Sequence, residues 1–157
     1  MKQEDHHKLL LACIQKAKRV YIIGNGGSAA NAIHAANDLV SCGIKAQALT
    51  ADVATLTAIA NDYGYEYVFS RQLGVLGEEG DLLITFSGSG NSHNIIQAIY
   101  EAILQHITVF SITGAWNQNK ASQIAHYAVQ YGDNMQVAED YQLQIIHKVY
   151  RILKGLE

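Results

Sequence analysis

Apolar positions recur along this chain in two rhythms, a helical period and short continuous runs, and their order predicts a fold. Leu9, Leu10, Cys13, Ile14 and Ala17 fall at helical spacing and predict a helix over residues 3–17. An apolar run at 19–23 predicts a buried strand, and a helical pattern from Ser28 to Ser41 follows, closed by Gly43. A short strand is expected at Ala46–Leu49, then helical stretches at 52–60 and 65–76. "GDLLITF" reads as a strand, "SGSGNS" as a loop, "HNIIQAIYEAILQ" as a helix and "ITVFSIT" as a strand. A short helix near Ser122, the strand "HYAVQY" and a long helix over 137–153 complete the pattern. Strands separated by helices imply right-handed crossovers and a parallel sheet covered on both faces. The expectation is therefore a three-layer α/β/α sandwich with a five-stranded parallel sheet in the flavodoxin-like order 2-1-3-4-5. In that order strands 1 and 3 are neighbours, and ligands bind beyond their carboxyl ends, where the winding reverses.

Composition narrows the class. The 157 residues are 49% apolar and 16% charged, ordinary for one globular domain, 1–157, with 1–17 as an N-terminal helix. Proline is absent and no low-complexity stretch suggests an internal boundary. Cys13 and Cys42 match no metal or redox spacing, which reads as reduced thiols in a cytoplasmic protein. No apolar stretch has membrane-spanning length, and "MKQEDHHKLL" lacks a secretory signal's apolar core, so no membrane partner is expected. A formal net charge of −3 speaks against nucleic-acid binding, which needs a basic face. Any anionic ligand must be held by local dipoles and hydroxyls.

Two loops follow strands 1 and 3. "FSGSGNSHN" places Ser87, Ser89 and Ser92 between a strand and a helix start, where backbone N–H groups lack helical partners and favour an anion. Gly88 and Gly90 allow close backbone approach, and no lysine stands where a nucleotide-hydrolysing loop needs one. One serine alone would read as an ordinary helix cap; three hydroxyls at a switch point read as a phosphate site. The first loop, Gly24 to Ser28, also satisfies a relaxed dinucleotide fingerprint through Gly24, Gly26 and Ala29, with Asp52 as the acidic partner. That reading leaves the serine loop without work.

His34 and Asp38, four residues apart, share a helix face. Such a pair binds a divalent metal, or pairs a carboxylate base with an orienting imidazole, or is a plain surface hydrogen bond. Late in the chain "VAEDYQLQIIHKVY" offers Glu139, Asp140, Gln142 and His147. On a helix Asp140 falls nearly in line with His147, whereas Glu139 is rotated by about 80°. The alternative for this segment is an amphipathic packing helix. The remaining histidines lie at the terminus or at element ends and are assigned no chemistry.

"GNGGSAANAIHAANDL", "LTAIANDYGYEYVFSRQL", "SGSGNSHN" and the helix carrying His147, taken in order, resemble the sugar isomerase (SIS) domain family, and within it the branch that isomerises phosphorylated seven-carbon sugars. The likeness runs from about Val20 to the last helix. It implies an aldose–ketose isomerase converting sedoheptulose 7-phosphate to D-glycero-D-manno-heptose 7-phosphate through an enediol. The phosphate would lie on Ser87, Gly88, Ser89 and Ser92, and Asn25, Gly26, Gly27, Asn61 and Asp62 would contact the sugar. Family metal and catalytic positions fall on His34, Asp38, Glu139 and His147, with Zn²⁺ as the metal, Glu139 also near substrate, and Asp38 and His147 as base and proton carrier. On this reading His34 and Asp38, just beyond the first loop, reach the sugar's carbonyl end. A homotetramer with active sites at subunit interfaces is implied as well. Asp38 stands where the family has glutamate, Glu139 where it has an amide, and the N-terminal helix is shorter. A sister branch of the fold is non-catalytic and partners the bacterial replication initiator; the joint presence of His34, Asp38 and His147 favours the enzyme.

Overall fold

The computed structural model describes residues 5–157; the first two positions of the expected N-terminal helix lie outside them. The chain runs α1 (His6–Lys16), β1 (Val20–Gly24), α2 (Gly27–Ser41), β2 (Ala46–Ala48), α3 (Val53–Tyr63), α4 (Ser70–Leu76), β3 (Leu82–Ser87), α5 (His93–Leu104), β4 (Thr108–Thr113), α6 (Lys120–Ile124), β5 (Tyr127–Gln130) and α7 (Met135–Leu153). The sheet has the order β2-β1-β3-β4-β5, and every pairing is parallel. β1 and β3 are buried throughout, as their predominantly apolar sequences require, and the buried Thr85 of β3 donates to Ser111 Oγ at 2.8 Å. They pair from Val20 opposite Leu82 to Gly24 opposite Phe86, so both following loops leave the same edge of the sheet side by side.

Two apolar layers cover the sheet. On one face α1, α2 and α7 contribute Leu10, Ala35, Leu39, Ile145 and Val149. On the other, Phe69, Leu73, Ile95 and Ile99 come from the segment around α4 and from α5. α2 and α7 lie side by side and run parallel: Ser28 and Asn31 meet Gln142 near their starts, and Ser41 meets Lys154 near their ends.

The single helical stretch expected over 65–76 is broken. Gly64 ends α3 at φ 109°, a 3-10 turn spans Tyr65–Tyr67, and α4 starts only at Ser70. Burial of Val68 and Phe69 against the sheet decides this geometry, and the turn brings the Tyr65 hydroxyl to Asn25. The last helix starts at Met135 rather than 137 because Asn134 caps it, accepting from the Val137 N–H at 3.0 Å. Asp52 caps α3 in the same way, accepting from the Thr55 N–H at 3.1 Å, which gives it a structural task in place of a ribose contact. No side chain of α3 is fully buried; Leu56, Ile59 and Ala60 pack half-buried against the second layer. No helix among the described residues is long and apolar enough to cross a membrane.

Candidate active site

The two loops meet as the strand order demands. Gly26, at φ 58°, turns the chain out of β1 into α2. Asn25 Nδ2 donates to Asn94 Oδ1 at 2.9 Å, and Asn94 Nδ2 donates back to Asn25 Oδ1 at 2.8 Å. Tyr65 adds a third bond to Asn25 Oδ1 at 2.9 Å. The side-chain amide of Asn25 is thus engaged within the protein. Asn94 was not singled out from the sequence; its place in the first turn after the serine loop was the available signal. A Cβ on Gly27 would run into the Glu139 carboxylate, which therefore lies directly over the first loop.

The serine loop divides its hydroxyls between two tasks. Ser87 Oγ accepts from the Gly90 N–H at 3.0 Å, and Ser89 Oγ accepts from the Asn91 N–H at 3.2 Å. These bonds shape the turn. Ser92 stands at the N-cap of α5 but its hydroxyl makes no capping bond, so it and the first N–H groups of α5 can donate to an anion. Side chains at Gly88 and Gly90 would strike Met135 and Asn119 respectively, so the loop is closely covered from outside. Asn61 and Asp62 are exposed at the end of α3, where Asn61 Nδ2 donates to Asp62 Oδ1 at 3.0 Å. They bond to each other rather than to either loop.

His34, Asp38 and His147 come together on the outer side of the α2–α7 pair. His34 Nε2 lies 2.9 Å from His147 Nε2, and Asp38 Oδ2 lies 3.3 Å from the first and 3.8 Å from the second. The imidazoles meet edge to face, with an interplanar angle of 77°. Three donor atoms held tetrahedrally by Zn²⁺, with metal–ligand bonds near 2.1 Å, stand about 3.4 Å apart. The observed triangle has that size, and its donors are the nitrogens and carboxylate oxygen that zinc takes. The Asp38 side chain is 13% exposed, against 47% for His34 and 50% for His147. The carboxylate therefore forms the floor, and solvent or substrate has access from the imidazole side.

Glu139 and Asp140 both stand outside this triangle. Eight helical residues separate Glu139 from His147, about 12 Å along α7, and Asp140 is directed to solvent. The cluster is also lower than the sequence implied. His34 lies about 10 Å and Asp38 about 16 Å along α2 from Gly27, on the helix surface rather than at the mouth of the loops.

Comparison with known proteins gives this geometry a context. The SIS domain model matches residues 3–114. The phosphoheptose isomerase of Thiobacillus denitrificans is 41% identical over 127 residues, which is 77% of this chain and 64% of that protein. That of Burkholderia pseudomallei is 49% identical over 110 residues, 66% of this chain and 56% of that one. The chain thus spans less than two thirds of the length of these relatives. The solved phosphoheptose isomerase of Neisseria gonorrhoeae superposes with a TM-score of 0.87 at 32% identity, covering 97% of this chain and 84% of that structure. That of Francisella tularensis gives the same TM-score of 0.87 at 29% identity. With its strand order, paired loops and sequence all in agreement, the chain belongs to the SIS domain family.

Proposed function

We propose that this protein is a phosphoheptose isomerase, interconverting sedoheptulose 7-phosphate and D-glycero-D-manno-heptose 7-phosphate through an enediol. The observation that carries the reading is the triangle of His34, Asp38 and His147, three metal-type donors from two helices at tetrahedral spacing. Ser87, Gly88, Ser89 and Ser92 form the phosphate cradle, with Ser92 and the start of α5 as its donors. Asn25, Gly26 and Gly27 line the sugar's path with Glu139, from its position over Gly27, and Asn61 and Asp62 at the end of α3 join them on the family resemblance alone.

His34, Asp38 and His147 would hold Zn²⁺, which supplies a Lewis acid for the carbonyl oxygen. A carboxylate has two oxygens, so Asp38 can face the metal position through Oδ2 and take the proton beside the carbonyl at Oδ1. His147 Nε2 would hold the metal or, where His34 and Asp38 hold it without that nitrogen, would pass protons between the sugar oxygens. Glu139 belongs on the sugar side of the site, over Gly27.

The reading extends to a homotetramer with sites at subunit interfaces. The cluster lies well down α2 from the loops, whereas an extended seven-carbon phosphate is on the order of 10 Å long. Ile33 and Val40 form an exposed apolar stripe on α2, and α3 leaves Leu56, Ile59 and Ala60 only half-buried. Both features suit contact with a second copy. The test is incubation of zinc-loaded protein with sedoheptulose 7-phosphate, followed by NMR. Appearance of the aldose supports the proposal; an unchanged ketose with zinc bound overturns it.

A further inference from the structure

Between the first loop and the metal-type cluster lies a buried polar group that neither of them requires. Gln142 on α7 is 0% exposed. Its Nε2 donates to Ser28 Oγ at 3.1 Å, and its Oε1 accepts from Asn31 Nδ2 at 3.0 Å. Asn31 Nδ2 also donates to the backbone carbonyl of Glu139 at 3.0 Å. The orientation of both amides follows from that last bond. A carbonyl only accepts, so the nitrogen of Asn31 must face it; Gln142 must then turn its oxygen to Asn31 and its nitrogen to Ser28.

The apolar contact around these amides sets the axial position of α7 on α2 only loosely. The buried residues of α2 are Ser28, Asn31, Ala32, Ala35, Ala36 and Leu39. Three alanines present few ridges for a neighbouring helix to settle into, and apolar packing is not directional. Hydrogen bonds are directional, and a slip of one residue along the helix, 1.5 Å, would break this set. A buried polar group that holds helix register is the best-supported use of such groups.

We infer that Gln142 is a positioning residue: with Ser28 and Asn31 it fixes the register of α7 on α2 and thereby the approach of His147 to His34 and Asp38. This deepens the metal reading above and rests on it. His34 is three residues beyond Asn31, and His147 five beyond Gln142, so a shift at the amide is carried down two rigid helices to the three donor atoms. Ser28 sits in the first turn of α2, so the same bonds tie the cluster to the first loop.

The experiment compares Gln142→Met and Ser28→Ala with Gln72→Met. Gln72 is another buried amide, donating to the carbonyls of Leu49 and Val68 on the opposite face of the sheet. For each folded variant Co²⁺ affinity and the visible spectrum of bound Co²⁺ are measured. The imidazole ¹⁵N spectrum of His34 and His147 is recorded without metal. Gln142→Met is expected to weaken Co²⁺ binding about tenfold or more, to alter the tetrahedral cobalt bands, and to change the signals that mark the His34–His147 hydrogen bond. Ser28→Ala is expected to do so less, and Gln72→Met is expected to lower the melting temperature alone. Gln142→Met that leaves the imidazole signals and Co²⁺ affinity unchanged overturns the inference, as does Gln72→Met that shifts them equally. If Gln142→Met does not fold, Ser28→Ala carries the same comparison. Wild-type protein that binds no Co²⁺ overturns the metal reading, and the inference then stands or falls on the metal-free imidazole spectra.

Discussion

Asn25 and Asn94 exchange two amide hydrogen bonds, 2.9 and 2.8 Å long, across the seam where β1 and β3 release their loops. The pair joins the turn after β1 to the start of α5, and Tyr65 secures it from a third segment. Asn94→Leu should leave the Asn25 amide with Tyr65 alone. The loss is expected to be about 1–3 kcal/mol, the cost of a buried polar partner left unpaired. Urea denaturation reads it, and a midpoint equal to wild type would refute the structural role.

The serine hydroxyls should separate by task. Ser87→Ala removes the acceptor of the Gly90 N–H and should cost about 1 kcal/mol of stability. Ser92→Ala removes a hydroxyl that caps nothing, so it should leave the melting temperature nearly unchanged while raising KM for the sugar phosphate. Thermal melts and steady-state kinetics on the two variants decide this. Equal effects on both readouts would contradict the division.

Asp38 is the test of the chemistry. Asp38→Asn keeps size but removes basicity and weakens metal binding, and should lower kcat by about 10² or more. His147→Gln is expected to be similarly severe. Asp38→Glu restores the carboxylate on a longer arm and should recover part of the rate. Chelation should abolish turnover in wild type and added Zn²⁺ should restore it. Isomerisation by metal-loaded Asp38→Asn at the wild-type rate would remove Asp38 as the base.

Assembly should be visible in light scattering. The exposed Ile33 and Val40 on α2, and an α3 whose Leu56, Ile59 and Ala60 are only half-buried, lead to an expected mass of four chains. An active monomer would show that each site is complete within one copy.

Stability should fall on mild acidification through His6. Its Nδ1 lies 2.6 Å from the Tyr141 hydroxyl, and burial lowers the pKa of the imidazole below its usual 6.5. Burial also pushes the Tyr141 hydroxyl up to about 12, so the phenol donates and the neutral imidazole accepts. The unfolded chain then binds the proton more readily than the folded one. The contribution is complete above pH 6.5 and is lost as pH falls through the lowered folded value. Melting temperatures below pH 6.5 should decline less steeply in His6→Phe than in wild type.

Periodicity alone determined much of this molecule. Predominantly apolar runs at Val20–Gly24 and Leu82–Ser87 mean strands buried on both faces, and the helices between them force parallel crossovers. The order 2-1-3-4-5 and the meeting of the Asn25 and serine loops follow from those constraints, because chain connectivity and handedness leave few other arrangements. The pairing of His34 with Asp38 was legible too, since four helical residues place both on one face.

Tertiary packing decided the rest. Which side of α7 meets α2 depends on how Gln142, Ile145 and Ile146 pack, and a helical wheel carries no such information. The wheel aligned Asp140 with His147, yet Asp140 is directed to solvent, Glu139 rests over Gly27, and His147 reaches a histidine 113 residues earlier. The break within 65–76 has the same origin, because burial of Val68 and Phe69 against the sheet overrides a local helical pattern. Local spacing sets which residues share a face; only the contact between faces, governed by complementary shape and buried hydrogen bonds, sets which residues meet.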